Sequence, residues 1–262
     1  MIKKRRMNRS GQVTIFIIVA IIIVAVAVLI YTFYPKIKSS LSVEEQNPIS
    51  FIQSCIEEDI NSAVETVSAQ GGSVEPENYL LYNNSKVEYL CYTLENLHPC
   101  VVQQAMLKQH IESEIKNEIS ENVDACFESM RNNYIKQGYS VDLKSGNKKI
   151  ELLPKRVVAT FNYSLTLTKG EDTQKYDSFV VMINNNLYEL VSIANSIIEW
   201  ETTYGDAETT TYMTLYHDLK VEKNVKGDDG KVYVLTDRNT GNKFQFATRG
   251  QIWPAGYAVP VL

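Results

Sequence analysis

The 22 residues from Val13 to Tyr34, VTIFIIVAIIIVAVAVLIYTFY, carry no charge, and no other feature of the chain limits its fold as strongly. As a helix at about 1.5 Å per residue the run would reach roughly 33 Å, against a hydrocarbon core of about 30 Å. Lipid offers no water to backbone N–H and C=O groups, so a single segment crosses only as a helix. That requirement outweighs the weak helix preference of the β-branched Ile and Val. Tyr31, Phe33 and Tyr34 close the run with rings suited to a headgroup interface, and Pro35 marks its exit. Ahead of it, MIKKRRMNRSG holds Lys3, Lys4, Arg5, Arg6 and Arg9 without an acid, and such tails stay cytoplasmic. A cleavable secretory signal fits less well: its apolar core runs about 7 to 15 residues with a small-x-small site close behind, and the nearest match here is Ser40-Leu41-Ser42. A buried helix of a soluble fold is a poorer fit still, because charge-free runs of this length belong to membranes.

The expected layout is a cytoplasmic basic tail over 1–12, a transmembrane helix over 13–34, a polar linker over 35–48, and everything beyond on the extracytoplasmic side. The lipid bilayer is thus the first expected partner, through residues 13–34, with other membrane or surface proteins as further ones. The formal net charge of the 262 residues is -5. With the five basic residues of the tail set aside, 21 Lys and Arg face 31 Asp and Glu in the outer part. That surplus of acid argues against nucleic acid and anionic lipid as partners. A hydrophobic content of 44% with 16 tyrosines is ample for a packed core.

Cys55, Cys91, Cys100 and Cys126 all lie in the outer part. An even count in an oxidising space favours disulfides, and the absence of any C-x-x-C spacing argues against zinc. The pairing follows from two helices. Asn47-Pro48 opens the first, in which Phe51, Ile52, Cys55, Ile56, Ile60, Ala63, Val64 and Val67 recur at helical spacing before Gly71-Gly72 ends it. Pro99 opens the second, where Leu107, Ile111, Ile115, Ile119 and Val123 fall every fourth residue, then Cys126 or Phe127, Met130 and Tyr134, with Gly138 as cap. A strict spacing of four drifts round a helix, so packing on the first helix is a better use than a coiled-coil seam. Cys55 and Cys126 sit on the two apolar faces and are expected to join, which leaves Cys91 to Cys100. Chain entropy assigns these links roughly 4 and 2.5 kcal/mol.

Between the helices, Tyr79 to Tyr82 and Val87 to Tyr92 read as strands around Asn83-Asn84-Ser85. Beyond residue 138 the period changes to two. Ser140 to Leu143 and Lys149 to Leu153 flank Ser145-Gly146-Asn147 as an expected hairpin, and Val157 to Thr168 alternates cleanly. After Gly170-Glu171-Asp172 comes a strand from Tyr176 to Ile183, then a helix capped by Asn186 with Glu189, expected to cover the sheet. Residues 202–214 suggest a short helix, and Leu219 to Lys226, Lys231 to Thr236 and Lys243 to Thr248 a closing meander. The expected fold class is α+β: two packed, disulfide-stapled helices over 49–138, then an antiparallel sheet with one covering helix over 139–262.

No catalytic, cofactor-binding or metal-binding constellation emerges. G-x-S-x-G, G-x-x-x-x-G-K, G-x-G-x-x-G and H-E-x-x-H are all absent. His98, His110 and His217 read as isolated surface residues. Asp228, Asp229, Asp237 and Asn239 lack the spacing of a calcium loop and suit turns. Glu57, Glu58 and Asp59 point in different directions along their helix. Tyr79, Tyr82, Tyr89 and Tyr92 form an aromatic group that would suit a partner or glycan if exposed. Asn83-Asn84-Ser85 and Asn162-Tyr163-Ser164 are glycosylation sequons.

The stretch Gly11-Gln12-Val13-Thr14-Ile15-Phe16, behind a basic tail and ahead of the apolar run, resembles the class III signal of archaeal type IV pilin-like proteins. The resemblance implies a cut after Gly11 on the cytoplasmic side, a new N-terminus at Gln12, and an apolar helix that becomes the core of a filament, with Pro35 about where such helices kink. Phe16 departs from the pattern, since many members carry a Glu there to register one subunit on its neighbour's amine. The resemblance covers about the first 35 residues. The outer part is similar in layout to single-span archaeal surface proteins, with Gln53-Ser54-Cys55 on a helix ending at Gly71-Gly72 and a second cysteine on a longer helix; that likeness names no activity. The expected function is a membrane-anchored extracytoplasmic structural or interaction protein, in its narrower form a pilin-like surface subunit. The alternative is a membrane-tethered extracytoplasmic enzyme such as an envelope hydrolase.

Overall fold

A computed structural model describes residues 47–95, 98–227 and 230–250. Gly11, Gln12 and the Val13–Tyr34 run, on which the expected spanning helix falls, lie outside the described residues, as do Asp228 and Asp229. Among the described residues no helix is long and apolar enough to cross a membrane.

Helix α1 spans Pro48–Ala69 and buries Ile52, Ile56, Ile60, Ala63, Val64 and Val67. It stops where Gly71 and Gly72 take φ of 83° and 111°, values glycine adopts without strain. The Gly72 N–H reaches back 2.8 Å to the Val67 carbonyl, closing the last turn. Helix α2 spans Leu107–Lys136 and buries the expected ladder from Leu107 to Tyr134. It begins later than Pro99 because Val101–Val102 forms a short strand. α1 packs along α2, and Cys55 is bonded to Cys126 across them with Cα atoms 6.1 Å apart. Cys91 is bonded to Cys100 at 5.3 Å. Both are the pairs that the helical pattern suggests.

Strands β1 (Tyr79–Tyr82) and β2 (Ser85–Tyr92) form a hairpin whose turn residues, Asn83 and Asn84, have φ of 47° and 66°. Positive φ at both central positions matches the right-handed strand twist, and asparagine tolerates it. β3 (Val101–Val102) also pairs antiparallel with β2, at its Cys91–Tyr92 end.

The next six strands are β4 (Ser140–Lys144), β5 (Lys148–Leu153), β6 (Arg156–Phe161), β7 (Ser164–Lys169), β8 (Asp172–Tyr176) and β9 (Phe179–Asn184). The hairpin expected at Ser145-Gly146-Asn147 does not form: β4 pairs with β7 and β5 with β6. Three long strands, 140–153, 156–169 and 172–184, instead run as one meander that bends across its width. The bend divides it into two three-stranded sheets, β4-β7-β8 and β5-β6-β9. The turn between the first two long strands is Pro154-Lys155, with Lys155 at φ 61°. At the bend, residues 145–147 oppose only 162 and 163, one residue too many, which is a β-bulge. Gly146 is needed there because a Cβ would lie 1.8 Å from the Asn162 carbonyl oxygen. The alternation survives the bend: Val157, Ala159, Phe161, Tyr163, Leu165 and Leu167 are all buried.

α2 braces the bend. Phe127 stacks on Tyr163 with ring centroids 4.0 Å apart. The Tyr163 hydroxyl donates to Asp124, whose other oxygen is 2.7 Å from Lys148 Nζ. Burial alone would raise the Asp124 carboxyl, but the bonds from Lys148 and Tyr163 outweigh it and hold it below the usual carboxylate range. Burial and the same carboxylate push the Tyr163 phenol up.

Helix α3 (Leu187–Tyr204) leads through a short α4 (Thr209–Leu215) to β10 (Leu219–Val225), β11 (Gly230–Asp237) and β12 (Lys243–Arg249). These last strands form the expected meander, but β12 also pairs in parallel with β2. The result is a mixed six-stranded sheet, in order β1-β2-β12-β11-β10 with β3 beside β2. The expectation of one antiparallel sheet under one helix is therefore corrected to three sheets, one of them mixed. Local periodicity shows that 85–92 is a strand but not that its neighbour lies about 150 residues downstream. The cover also differs: α1 lies on β9 and β12, α2 on β4 and β5, and α3 chiefly on β12, β11 and β2. One core runs through all four helices and all three sheets, so the stretches 49–138 and 139–262 share their interior.

Gly146→Ala is expected to cost at least about 3 kcal/mol, because backbone must move aside. Gly170→Ala, with φ of 64° and open space around it, should cost only about 1 kcal/mol. Urea denaturation of the two variants checks the contrast; equal costs would contradict the bulge.

Candidate functional site

A concavity of about 820 Å³ lies at the head of α3. Volumes of roughly 300–1,000 Å³ are usual for small-ligand sites. Three turns and a helix start meet there. The Pro154-Lys155 turn is held by the Lys155 N–H, 3.0 Å from Glu189 Oε1 and 3.3 Å from Oε2. The Asp237 end of β11 is held by its Oδ1, which accepts from the Asn239 N–H at 2.8 Å and the Thr240 N–H at 2.9 Å. The α4–β10 connection adds Tyr216, His217 and Asp218, with the Asp218 carbonyl accepting from the Arg238 N–H at 2.7 Å. Leu190, Ile193 and Leu219 form an apolar floor.

Asn186 does not cap α3 with its side chain as the sequence suggests; Asn185 Oδ1 accepts from the Leu187 N–H at 2.9 Å instead. Asn186 is buried, donating to Asp237 Oδ2 at 2.7 Å and accepting from Asn242 Nδ2 at 2.7 Å. It ties the helix start to the β11–β12 turn.

Two buried polar clusters lie elsewhere. Ser73 Oγ donates to Glu88 and lies 2.8 Å from His110 Nε2. This is the nearest approach to a nucleophile and base among the described residues, but Ser73 is only 5% exposed and lines none of the groove. His110, expected as an isolated surface residue, is half-buried here, a contact that joins positions 37 apart and leaves no local signature. Burial raises the Glu88 carboxyl above its ordinary 4.5, with Ser73, His110 and Gln104 opposing that rise and Glu114 adding to it.

In the second cluster Glu201, fully buried on α3, accepts from Lys231 Nζ at 2.7 Å, from the Ala207 N–H at 3.0 Å and from the Tyr233 hydroxyl. Lys231 also donates to the Gly205 carbonyl. Burial, then the Glu201 charge, pushes the Tyr233 phenol up. Every polar atom of the cluster has a partner, so it fastens the end of α3 to the mixed sheet.

The remaining residues singled out above are dispersed. Asn83 and Asn162 are both exposed. His98 lies 3.4 Å from Glu95 at the surface, and His217 lines the groove. Asp237, considered for calcium, has both oxygens committed to its own turn and to Asn186. Among the described residues no trio of His, Cys, Asp or Glu is placed to hold a metal. The four tyrosines make no exposed platform: Tyr89 is buried with Val87, Val232, Val234 and Ala247, and Tyr92 lies half-buried against it at 4.9 Å. Comparison with protein-family models, curated proteins and solved structures finds no match to the chain.

Glu201→Gln removes the charge opposite a buried ammonium and is expected to cost about 3 kcal/mol. Glu222→Gln, at an exposed pair with Lys220, should cost under about 1 kcal/mol. Chemical denaturation compares them. A carboxyl bound more tightly to its proton in the fold than in the unfolded chain stabilises the fold below its ordinary pKa and loses that contribution as pH rises through the raised value. Glu88→Gln keeps an acceptor for Ser73 and should therefore gain on the natural protein as pH goes from about 4 to about 7. Melting temperatures at the two pH values test this; a variant that loses ground at the higher pH would contradict it.

Proposed function

We propose that the chain is a membrane-anchored protein whose disulfide-stapled α+β domain stands on the extracytoplasmic side and works by binding or assembly. One agreement carries the reading. The basic tail and the charge-free run over 13–34, read as an anchor, would put every cysteine outside the cytoplasm, and all four cysteines are paired, as an oxidising space allows. The acidic balance of the outer part supports protein or neutral partners over nucleic acid. The narrower form is a pilin-like subunit processed after Gly11, with the apolar helix packed against copies of itself. A tethered hydrolase would have to draw on the carboxylates around the groove, yet Glu189 and Asp237 already have both oxygens engaged in local hydrogen bonds, which leaves Asp218 without a second free carboxylate beside it among the described residues.

N-terminal mass spectrometry of the chain extracted from membranes separates the forms. A mature chain beginning at Gln12 is the result expected of a filament subunit, and an intact Met1 or Ile2 would leave a plain anchor. A chain released from membranes by alkaline carbonate alone would overturn both.

A further inference from the structure

We propose that the groove at the head of α3 is a binding site for a neutral, hydroxyl-rich ligand, a short segment of glycan. The inference rests on reading the domain as a binding module and adds the class of ligand. The polar groups of the groove divide into those already used within the fold and those left open. The oxygens of Glu189 and Asp237 hold turns and the Asn186 side chain, so these acceptors are already engaged within the fold. The side-chain amides of Asn184 and Asn239 line the groove, carry no hydrogen bond to the described residues, and are exposed. An amide offers two N–H donors and a carbonyl acceptor on one rigid plane, which matches neighbouring hydroxyls that each donate and accept.

Charge narrows the ligand further. Glu189, Asp218 and Asp237 are offset by Lys155 and by Arg238, whose guanidinium donates to the His217 carbonyl at 3.3 Å, so the groove concentrates little charge of either sign. A metal ion would find no converging trio of His, Cys, Asp or Glu among the described residues. Tyr216, at 54% exposure beside Leu215 at 69%, presents a ring at the rim, and an apolar floor lies below it. A sugar has these two sides: C–H faces that pack on a ring and hydroxyl edges that bond to amides.

The test uses the full chain in nanodiscs of lipids without sugar headgroups. A panel of neutral hexose tetrasaccharides, the matching monosaccharides, a tetra-uronate and tetralysine are titrated by calorimetry. At least one neutral tetrasaccharide should bind, its monosaccharide more weakly, and the two charged probes not measurably. Asn184→Ala with Asn239→Ala should weaken binding about tenfold, the effect of losing two ligand hydrogen bonds. Tyr216→Ala should weaken it too, while Asn132→Ala on the exposed side of α2 should not. All four positions are at the surface, and unchanged melting curves show that the variants fold. Binding of tetra-uronate or tetralysine as tight as that of the sugars, no binding of any neutral saccharide, or binding indifferent to the amide variants would each overturn the proposal. If sugars fail to bind while the chain stays membrane-bound, the ligand assignment falls and the anchored-domain reading survives.

Discussion

Everything in the described domain leans on the pairing of α1 with α2 and on the Cys55–Cys126 bond that closes it. The bond joins positions 71 apart, a constraint on the unfolded chain of roughly 4 kcal/mol in the chain-entropy account. With total stabilities of about 5–15 kcal/mol, that is a large share. The helix pair is also the surface on which both halves of the chain condense: α2 braces the bent meander through Phe127, Asp124 and Tyr163, while α1 touches β9 on one side and β12 on the other. The bond further couples fold to location, because a thiol pair persists as a disulfide only where the surroundings are oxidising. On the proposed reading, the apolar run at the start of the chain and the covalent staple in the middle concern one compartment.

What could be read from the sequence follows from range. The helical ladders, the period-two run from Val157 to Thr168 and the closing meander are local patterns, and each element appears where its pattern lies. The hairpin at Gly146 misled because glycine serves two purposes, tight turn and close backbone approach, and only the position of the Asn162 carbonyl tells them apart. The parallel pairing of β2 with β12, and the Ser73–His110 contact, join residues far apart in the chain and leave no periodic trace. Asn186 was legible as a helix-start residue, but its bonds to Asp237 and Asn242 were not, and those bonds build the groove.

The domain separates its polar chemistry into two kinds. Glu201 with Lys231 and Ser73 with Glu88 are buried and internally satisfied, so they specify how the elements dock. Around the groove the carboxylates hold turns, and amides and a tyrosine ring are left facing outward. A rigid scaffold that presents neutral donors and acceptors from loops is suited to recognition, which accords with the binding role proposed above.

Location and fold meet most directly in the state of the four thiols. Cells are lysed with a thiol-trapping alkylator present, the membrane fraction is digested without reductant, and linked peptides are mapped by mass spectrometry. The account predicts no alkylated cysteine and two linked pairs, Cys55 with Cys126 and Cys91 with Cys100. Trapped free thiols at Cys55 and Cys126, or a link between Cys55 and Cys91, would contradict it.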